Sequence, residues 1–180
     1  VAASLITSPL AEAFVCVGVS LFLAGLAVSP VGEVYFAFGC CVMKVSLGAP
    51  IVAQGGLPCG YFSYQTSYQD ITAINFDRAG NLYIADWGHC AIEKVDASGV
   101  VSFVAGKPGL SAFECDNRGD GGPATAARLQ WPLGVTVGDN GDLYIAVGYA
   151  GNNSRIRPVE RKSTRLTSSP LGISYAVVGL

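Results

Sequence analysis

The sequence has 180 residues and 18.6 kDa, of which 51% are hydrophobic and 13% charged, so it is long enough for a packed domain and too apolar for a disordered, solvating chain. Eleven Lys and Arg against thirteen Asp and Glu leave a formal charge of -2, which excludes nucleic-acid binding by bulk charge. With one histidine, His89, a metal site built on several imidazoles is excluded within this chain.

The first third is almost uncharged: up to Gln69 only Glu12, Glu33 and Lys44 carry charge, and the other 21 of the 24 charged residues follow from Asp70. Ala13 to Val28 is apolar throughout, yet at 16 residues it falls short of the ~20 that span a bilayer. A signal or anchor segment fits that length. The first basic residue is Lys44, so no basic n-region precedes it, and the chain opens on Val1, which suggests a fragment. Residues 1–22 are therefore set apart as an apolar N-terminal segment, either a truncated signal or anchor or a strand of a preceding blade.

From residue 23 a repeat emerges. Gly32 to Phe38 (GEVYFAF), Gly80 to Asp86 (GNLYIAD) and Gly141 to Val147 (GDLYIAV) are copies of one motif. At the same offset upstream lie Leu23 to Val28, Ile71 to Phe76 and Pro132 to Val137; that match favours a soluble strand over a membrane segment for Leu23 to Val28. Downstream come Cys41 to Val45, Cys90 to Asp96 and Ser154 to Glu160, and Pro50 to Gly55 and Val100 to Gly106 close two units. Each unit thus has four short runs separated by turn signals, Asn140-Gly141 being the pair best suited to the positive φ angles of a tight hairpin. Four antiparallel strands in roughly 45 residues is the size of one propeller blade. The fold class expected is all-β, a partial β-propeller of four-stranded antiparallel blades at about 23–55, 71–106 and 132–160. Three blades make an incomplete arc with exposed sheet faces, so the arc needs further blades or a second arc.

The motif resembles the NHL-repeat family of β-propellers. The resemblance rests on Pro132-Leu133-Gly134-Val135, the two GxLYIA runs, Asp86-Trp87-Gly88-His89 before Ile92 and Lys94, and Asn153 to Arg157. Gly119 to Leu129 (GDGGPATAARL) is similar to the inter-blade connection of secreted and cell-surface members, which implies that localisation here. Departures are the missing equivalent of Asp86 in the first and third units, and His89, Cys90 and Ala91 where the family favours Asn, His and Arg. After Glu160 the repeat predicts a closing strand, but Arg161 to Leu180 instead closely resembles a translated sequencing adapter. Residues 161–180 are accordingly set apart as a non-native tail whose removal leaves folding unchanged; the alternative is that Pro170 to Ile173 opens a fourth unit.

The six cysteines, at 16, 40, 41, 59, 90 and 115, have no metal-ligand spacing. Two readings stay open: free, partly buried thiols, or disulfides that include Cys59 or Cys115. His89 lies close to Asp86, as a general base would require, but no nucleophile or metal is marked for it to serve, and a strand-edge histidine bonded to backbone is the plainer reading. No catalytic residue, metal site or cofactor is assigned. Asp116 to Gly121 is oxygen-rich but lacks the distal glutamate of a calcium loop, and its Arg-Gly-Asp at Arg118 to Asp120 is a tripeptide frequent by chance. Asn152-Asn153-Ser154 is a glycosylation acceptor if the chain is secreted by a eukaryote. Binding candidates are Arg118 and Asp120, on the long connection Lys107 to Trp131, and Tyr61, Tyr64 and Tyr68, on the connection Gln54 to Asp70. A short helical run at Pro123 to Gln130 braces the former.

These features favour a non-enzymatic propeller module that binds a protein or small ligand through its inter-blade loops. The alternatives are a propeller-type hydrolase or lyase with its active site in missing blades, and a membrane-anchored sensor or adhesion ectodomain.

Overall fold

The computed structural model describes residues 23–38, 41–45, 52–53, 71–107, 115–148 and 154–170. They form three four-stranded antiparallel sheets, each a simple meander. The first contains β1 (Leu23–Val28), β2 (Val34–Phe38), β3 (Cys41–Val45) and β4 (Val52–Ala53). The second contains β5 (Ile71–Phe76), β6 (Leu82–Asp86), β7 (Ala91–Val95) and β8 (Val101–Ala105). The third contains β9 (Pro132–Val137), β10 (Leu143–Val147), β11 (Arg155–Val159) and β12 (Ser169–Pro170). Among the described residues the one helical element is a 3-10 turn at Ala124–Ala126, shorter than the run expected over Pro123 to Gln130. Of the apolar stretch Ala13 to Val28, the last six residues are β1; 13–22 lie outside the described residues. No described helix is long and apolar enough to cross a membrane.

The same turn joins the first two strands of every blade. Ser29, Asp77 and Gly138 each accept a bond from the N–H three residues on, at Gly32, Gly80 and Gly141, and donate to the carbonyl four residues on. Those three glycines all sit at φ of 84 to 85°, where a side chain would be strained, and this is why glycine opens each copy of the motif. The Asn140-Gly141 pair therefore works differently from the two-residue hairpin expected. Only Gly141 takes a positive φ, and Asn140 instead uses its side chain to hold Asp142.

The blades stack on one another. β1 packs against β5, and β5 and β6 pack against β9, which brings the first strands of successive blades side by side. Bulges leave Thr72 and Leu133 unpaired at equivalent positions, and Gly25 one position further along in the first blade. The Thr72 hydroxyl thereby donates across the junction to the Pro132 carbonyl at 2.6 Å. At the other junction Gly25 lies so close to β5 that a Cβ would meet the Ile74 nitrogen at 2.9 Å.

Alternation along β6 feeds two cores. Leu82 and Ile84 join Ala27, Ala37, Val42, Ile71 and Ile74 between the first and second blades. Tyr83 and Ala85 join Val135, Leu143, Ile145 and Leu129 between the second and third. All five residues of β6 are consequently buried, whereas β10 alternates. Tyr83 is 8% exposed and its equivalent Tyr144 is 38% exposed. Leu26 and Val28 on β1, and Leu133 on β9, are also exposed, as expected of an arc with uncovered ends.

The third sheet continues past Glu160, so a closing strand does follow. β12 pairs with β11, Leu166 is fully buried in the core between blades two and three, and its backbone exchanges bonds with Gly121 and Gly122. Residues 161–170 thus complete a blade that the sequence ends at 160. Leu129 and Leu166 both lie in that core with no exposure. Leu129→Ala and Leu166→Ala are each expected to cost about 2 to 5 kcal/mol in urea denaturation, and deletion of residues 161–180 is expected to lower the midpoint rather than leave it unchanged.

Candidate functional site

The described part of the long connection, 115–131, is folded back on itself. Asn117 and Gln130 exchange bonds, Arg128 donates its N–H to the Arg118 carbonyl, and Asp116 binds the guanidinium groups of Arg118 and Arg128. Its anchor is Arg157 of β11, which is fully buried. Arg157 donates to Asp120 Oδ1 at 2.6 Å and to the carbonyls of Arg118 and Arg128. Asp120 Oδ2 accepts from the Ser168 hydroxyl. Burial would raise the Asp120 pKa, but the Ser168 hydroxyl and the Arg157 charge outweigh it and hold the carboxyl below its ordinary value.

Asp120 therefore serves as a brace, where the sequence predicts a freely projecting loop, although its side chain stays 37% exposed. Of the expected binding pair Arg118 reaches further into solvent, with its side chain 79% exposed. The two carboxylates that suggest calcium already have partners, Asp116 in Arg118 and Arg128, Asp120 in Arg157 and Ser168. Tyr61, Tyr64 and Tyr68 lie outside the described residues.

A second cluster lies within the middle blade. Asp86 ends β6 and pairs in register with Ala91, while Glu93 stands two residues further along β7. Two residues along a strand is the same face, so the two carboxyl groups are diagonal neighbours on the sheet. His89 sits in the intervening turn. Its N–H donates to Asp86 Oδ1 at 2.8 Å, and its Nδ1 lies 2.7 Å from Asp86 Oδ2. The side-chain bond is thus to a carboxylate and not, as expected, to backbone. It raises the His89 pKa, against the opposing effect of burial. Glu93 is 2% exposed, and its Oε2 has no hydrogen-bond partner. Burial, then the neighbouring Asp86 charge, pushes its pKa up to about 9.

The turn that carries His89 is firmly held. Cys90, at a positive φ of 53°, is disulfide-bonded to Cys115 with Cα atoms 6.1 Å apart, which corrects the free-thiol reading for these two residues. Gly106 packs so closely behind it that a Cβ would meet the Cys90 carbonyl at 2.4 Å. Trp87 stacks on Trp131 across the blade junction, with ring centroids 6.3 Å apart. Asp86, His89 and Glu93 bring donor atoms within 4.8 Å of one another, a set that the sequence assigns no metal. The signal available was a carboxylate at a position that the repeat pattern makes inward-facing.

A third feature is an open cleft of about 370 Å³ where the first turns of blades two and three meet. Asp77, Arg78, Tyr83 and Lys94 line it from one side, and Asp139 and Arg161 from the other. Arg78 bridges to Asp139 at 2.8 Å with both side chains exposed. Burial, together with the nearby Asp77 charge, pushes the Tyr83 phenol up to about 12. Sequence inspection did not single out this cleft, because its lining comes from two units 61 residues apart.

Solved structures share this architecture. A protein of unknown function from Bacteroides thetaiotaomicron superposes with a TM-score of 0.61 at 15% identity, over 81% of this chain and 35% of that one. A gluconolactonase from Xanthomonas campestris gives 0.56 at 13% identity, over 83% and 47%. An auxiliary nutrient binding protein from Bacteroides ovatus gives 0.55 at 18% identity, over 83% and 37%. The chain therefore spans less than half the length of these three proteins. No protein-family model and no curated protein matches the sequence. The fold is that of a β-propeller: an incomplete arc of four-stranded antiparallel blades.

Two outcomes test the site. Asp120→Ala leaves the buried Arg157 charge without its carboxylate and is expected to cost about 2 to 3 kcal/mol, less than the ~3 to 5 of a fully enclosed pair. Arg118→Ala is expected to stay within about 0.5 kcal/mol; urea denaturation of both distinguishes brace from loop. Glu93 holds its proton to higher pH when folded than when unfolded, so its burial costs stability progressively as pH rises from its ordinary 4.5 towards 9. In chelating buffer Glu93→Gln is expected to raise the denaturation midpoint, and by more at pH 9 than at pH 5.

Proposed function

We propose that this chain belongs to an NHL-type β-propeller serving as a non-enzymatic scaffold, which binds a protein or small ligand through the turns and connections between its blades. The observation that carries this reading is the cleft between blades two and three. Its Arg78, Lys94 and Arg161 outnumber its Asp77 and Asp139, and its walls are turns fixed by rigid sheets. That charge balance favours a polar ligand bearing a carboxylate. Arg118, exposed on the connection between the same two blades, is a separate candidate contact for a macromolecular partner, and Tyr61, Tyr64 and Tyr68 remain candidate contacts. Further blades complete the arc in the whole protein. The Cys90–Cys115 disulfide supports secretion or display at the cell surface, where thiols oxidise.

A second reading, a propeller-type hydrolase or lyase, draws support from the Asp86–His89 pair beside a buried carboxyl. The test is a thermal-shift screen of the chain against sugar acids and other small carboxylates, followed by Lys94→Ala and Arg78→Ala. The scaffold reading expects a stabilising ligand whose effect is lost in both variants, with no turnover of it. Turnover abolished by His89→Gln would establish the second reading instead.

A further inference from the structure

Corresponding positions of the three blades hold Met43, Glu93 and Arg157, opposite Phe36, Ile84 and Ile145 of their second strands. All three are buried, at 1%, 2% and 0% exposure. The fold resolves two of them. Met43 is apolar, and Arg157 donates to Asp120 and to two backbone carbonyls. Glu93 differs, because its Oε2 is buried without a partner. A polar atom left so costs stability, and an apolar residue of similar size would remove the cost. Some ligand must satisfy this oxygen if the position is to favour glutamate.

The surroundings indicate which ligand. The orphan carboxyl belongs to a cluster of Asp86, His89 and Glu93 whose donor atoms all lie within 4.8 Å of one another. Two carboxylate oxygens and one imidazole nitrogen, all in a single blade, form a mixed nitrogen and oxygen set. Calcium and magnesium prefer oxygen alone, calcium with six or more ligands, whereas zinc accepts three protein ligands and a water in a tetrahedron. The carboxyl groups are inside, and the His89 side chain, 17% exposed, leaves one approach from solvent. The disulfide at Cys90 and the turn N–H donated to Asp86 hold two of the three ligands in place beforehand.

We propose that Asp86, His89 and Glu93 are the protein ligands of one zinc-type divalent cation, bound within the second blade with a water in its fourth position. The cation takes the place of the proton between His89 and Asp86, which passes to the other ring nitrogen or to solvent. Glu93 binds as the carboxylate with its proton released to solvent, and the His89–Asp86 contact opens from 2.7 Å as Glu93 draws in. Neither the first nor the third blade has an equivalent set: Phe38 and Val147 stand at the position of Asp86. One ion follows for the described residues.

The test uses the full chain, unreduced, freed of metal with a chelator and titrated with zinc chloride by calorimetry, with calcium and magnesium as competitors. Cobalt(II) replaces zinc in a parallel absorption experiment. Expected are one zinc per chain, a zinc-dependent rise in melting temperature that calcium and magnesium do not reproduce, and a tetrahedral cobalt spectrum without a thiolate charge-transfer band. Loss of a partner that only orients a ligand weakens metal sites by roughly 10- to 100-fold, so Glu93→Gln and His89→Gln, which remove ligands, are expected to weaken binding by at least that much. Glu93→Gln is nearly isosteric and is expected to melt higher than the metal-free parent while losing the zinc response. Absence of stoichiometric zinc binding by the parent chain would overturn the proposal. So would binding that both variants leave intact, or a thiolate band placing the ion on cysteine.

Discussion

A sheet of four short strands cannot bury both its faces by itself, and the rest of this structure follows from that constraint. The middle blade satisfies it fully. β6 sends Leu82 and Ile84 to one neighbour and Tyr83 and Ala85 to the other, so its continuous apolar run is buried on both sides. The outer blades satisfy it on one side only, and Leu26, Val28, Leu133 and Tyr144 mark the faces left over. Hydrogen bonds within each blade set strand order, but side chains passing between blades hold the blades to one another.

The junctions repeat a few devices. First strands approach closely enough that Gly25 has no room for a side chain, and Thr72, freed by a bulge, uses its hydroxyl to reach the next blade. The longer junction between blades two and three adds a connecting segment, pinned by the Cys90–Cys115 bond, the Arg157–Asp120 pair and burial of Ala124, Ala127 and Leu129. This segment replaces on one side the apolar cover that a shorter link would leave to the sheets alone.

Strand positions were legible in the sequence because each depends on local pattern: glycine at a fixed turn, then a short and mainly apolar run. The offsets of GEVYFAF, GNLYIAD and GDLYIAV locate β2, β6 and β10, and their flanking runs locate the strands beside them. What escaped depends on contacts across blades or on burial that period two does not reveal. Cys90 and Cys115 are 25 residues apart, and nothing in their spacing indicates that the connection returns to the β6–β7 turn. Asp120 carries the charge of a surface loop, yet it meets a buried Arg157 that is 37 residues away in sequence. Likewise the closing strand of the third blade lies in a segment whose resemblance points away from the fold, and its pairing with β11 and the burial of Leu166 reveal it. Glu93 was the subtler omission: the repeat places it inward, but a charge in a strand is ordinarily read as facing water.

The slot shared by Met43, Glu93 and Arg157 also bears on how such repeats diversify. Where a blade is wedged between neighbours, as the second is, the free-energy cost of an awkward residue in it is shared by the packing of two interfaces instead of falling on one small sheet. A duplicated unit can therefore keep its backbone while its interior changes from thioether to carboxylate to guanidinium. The arc behaves as a row of nearly identical mounts, each able to receive a different chemical group without altering the frame that holds it.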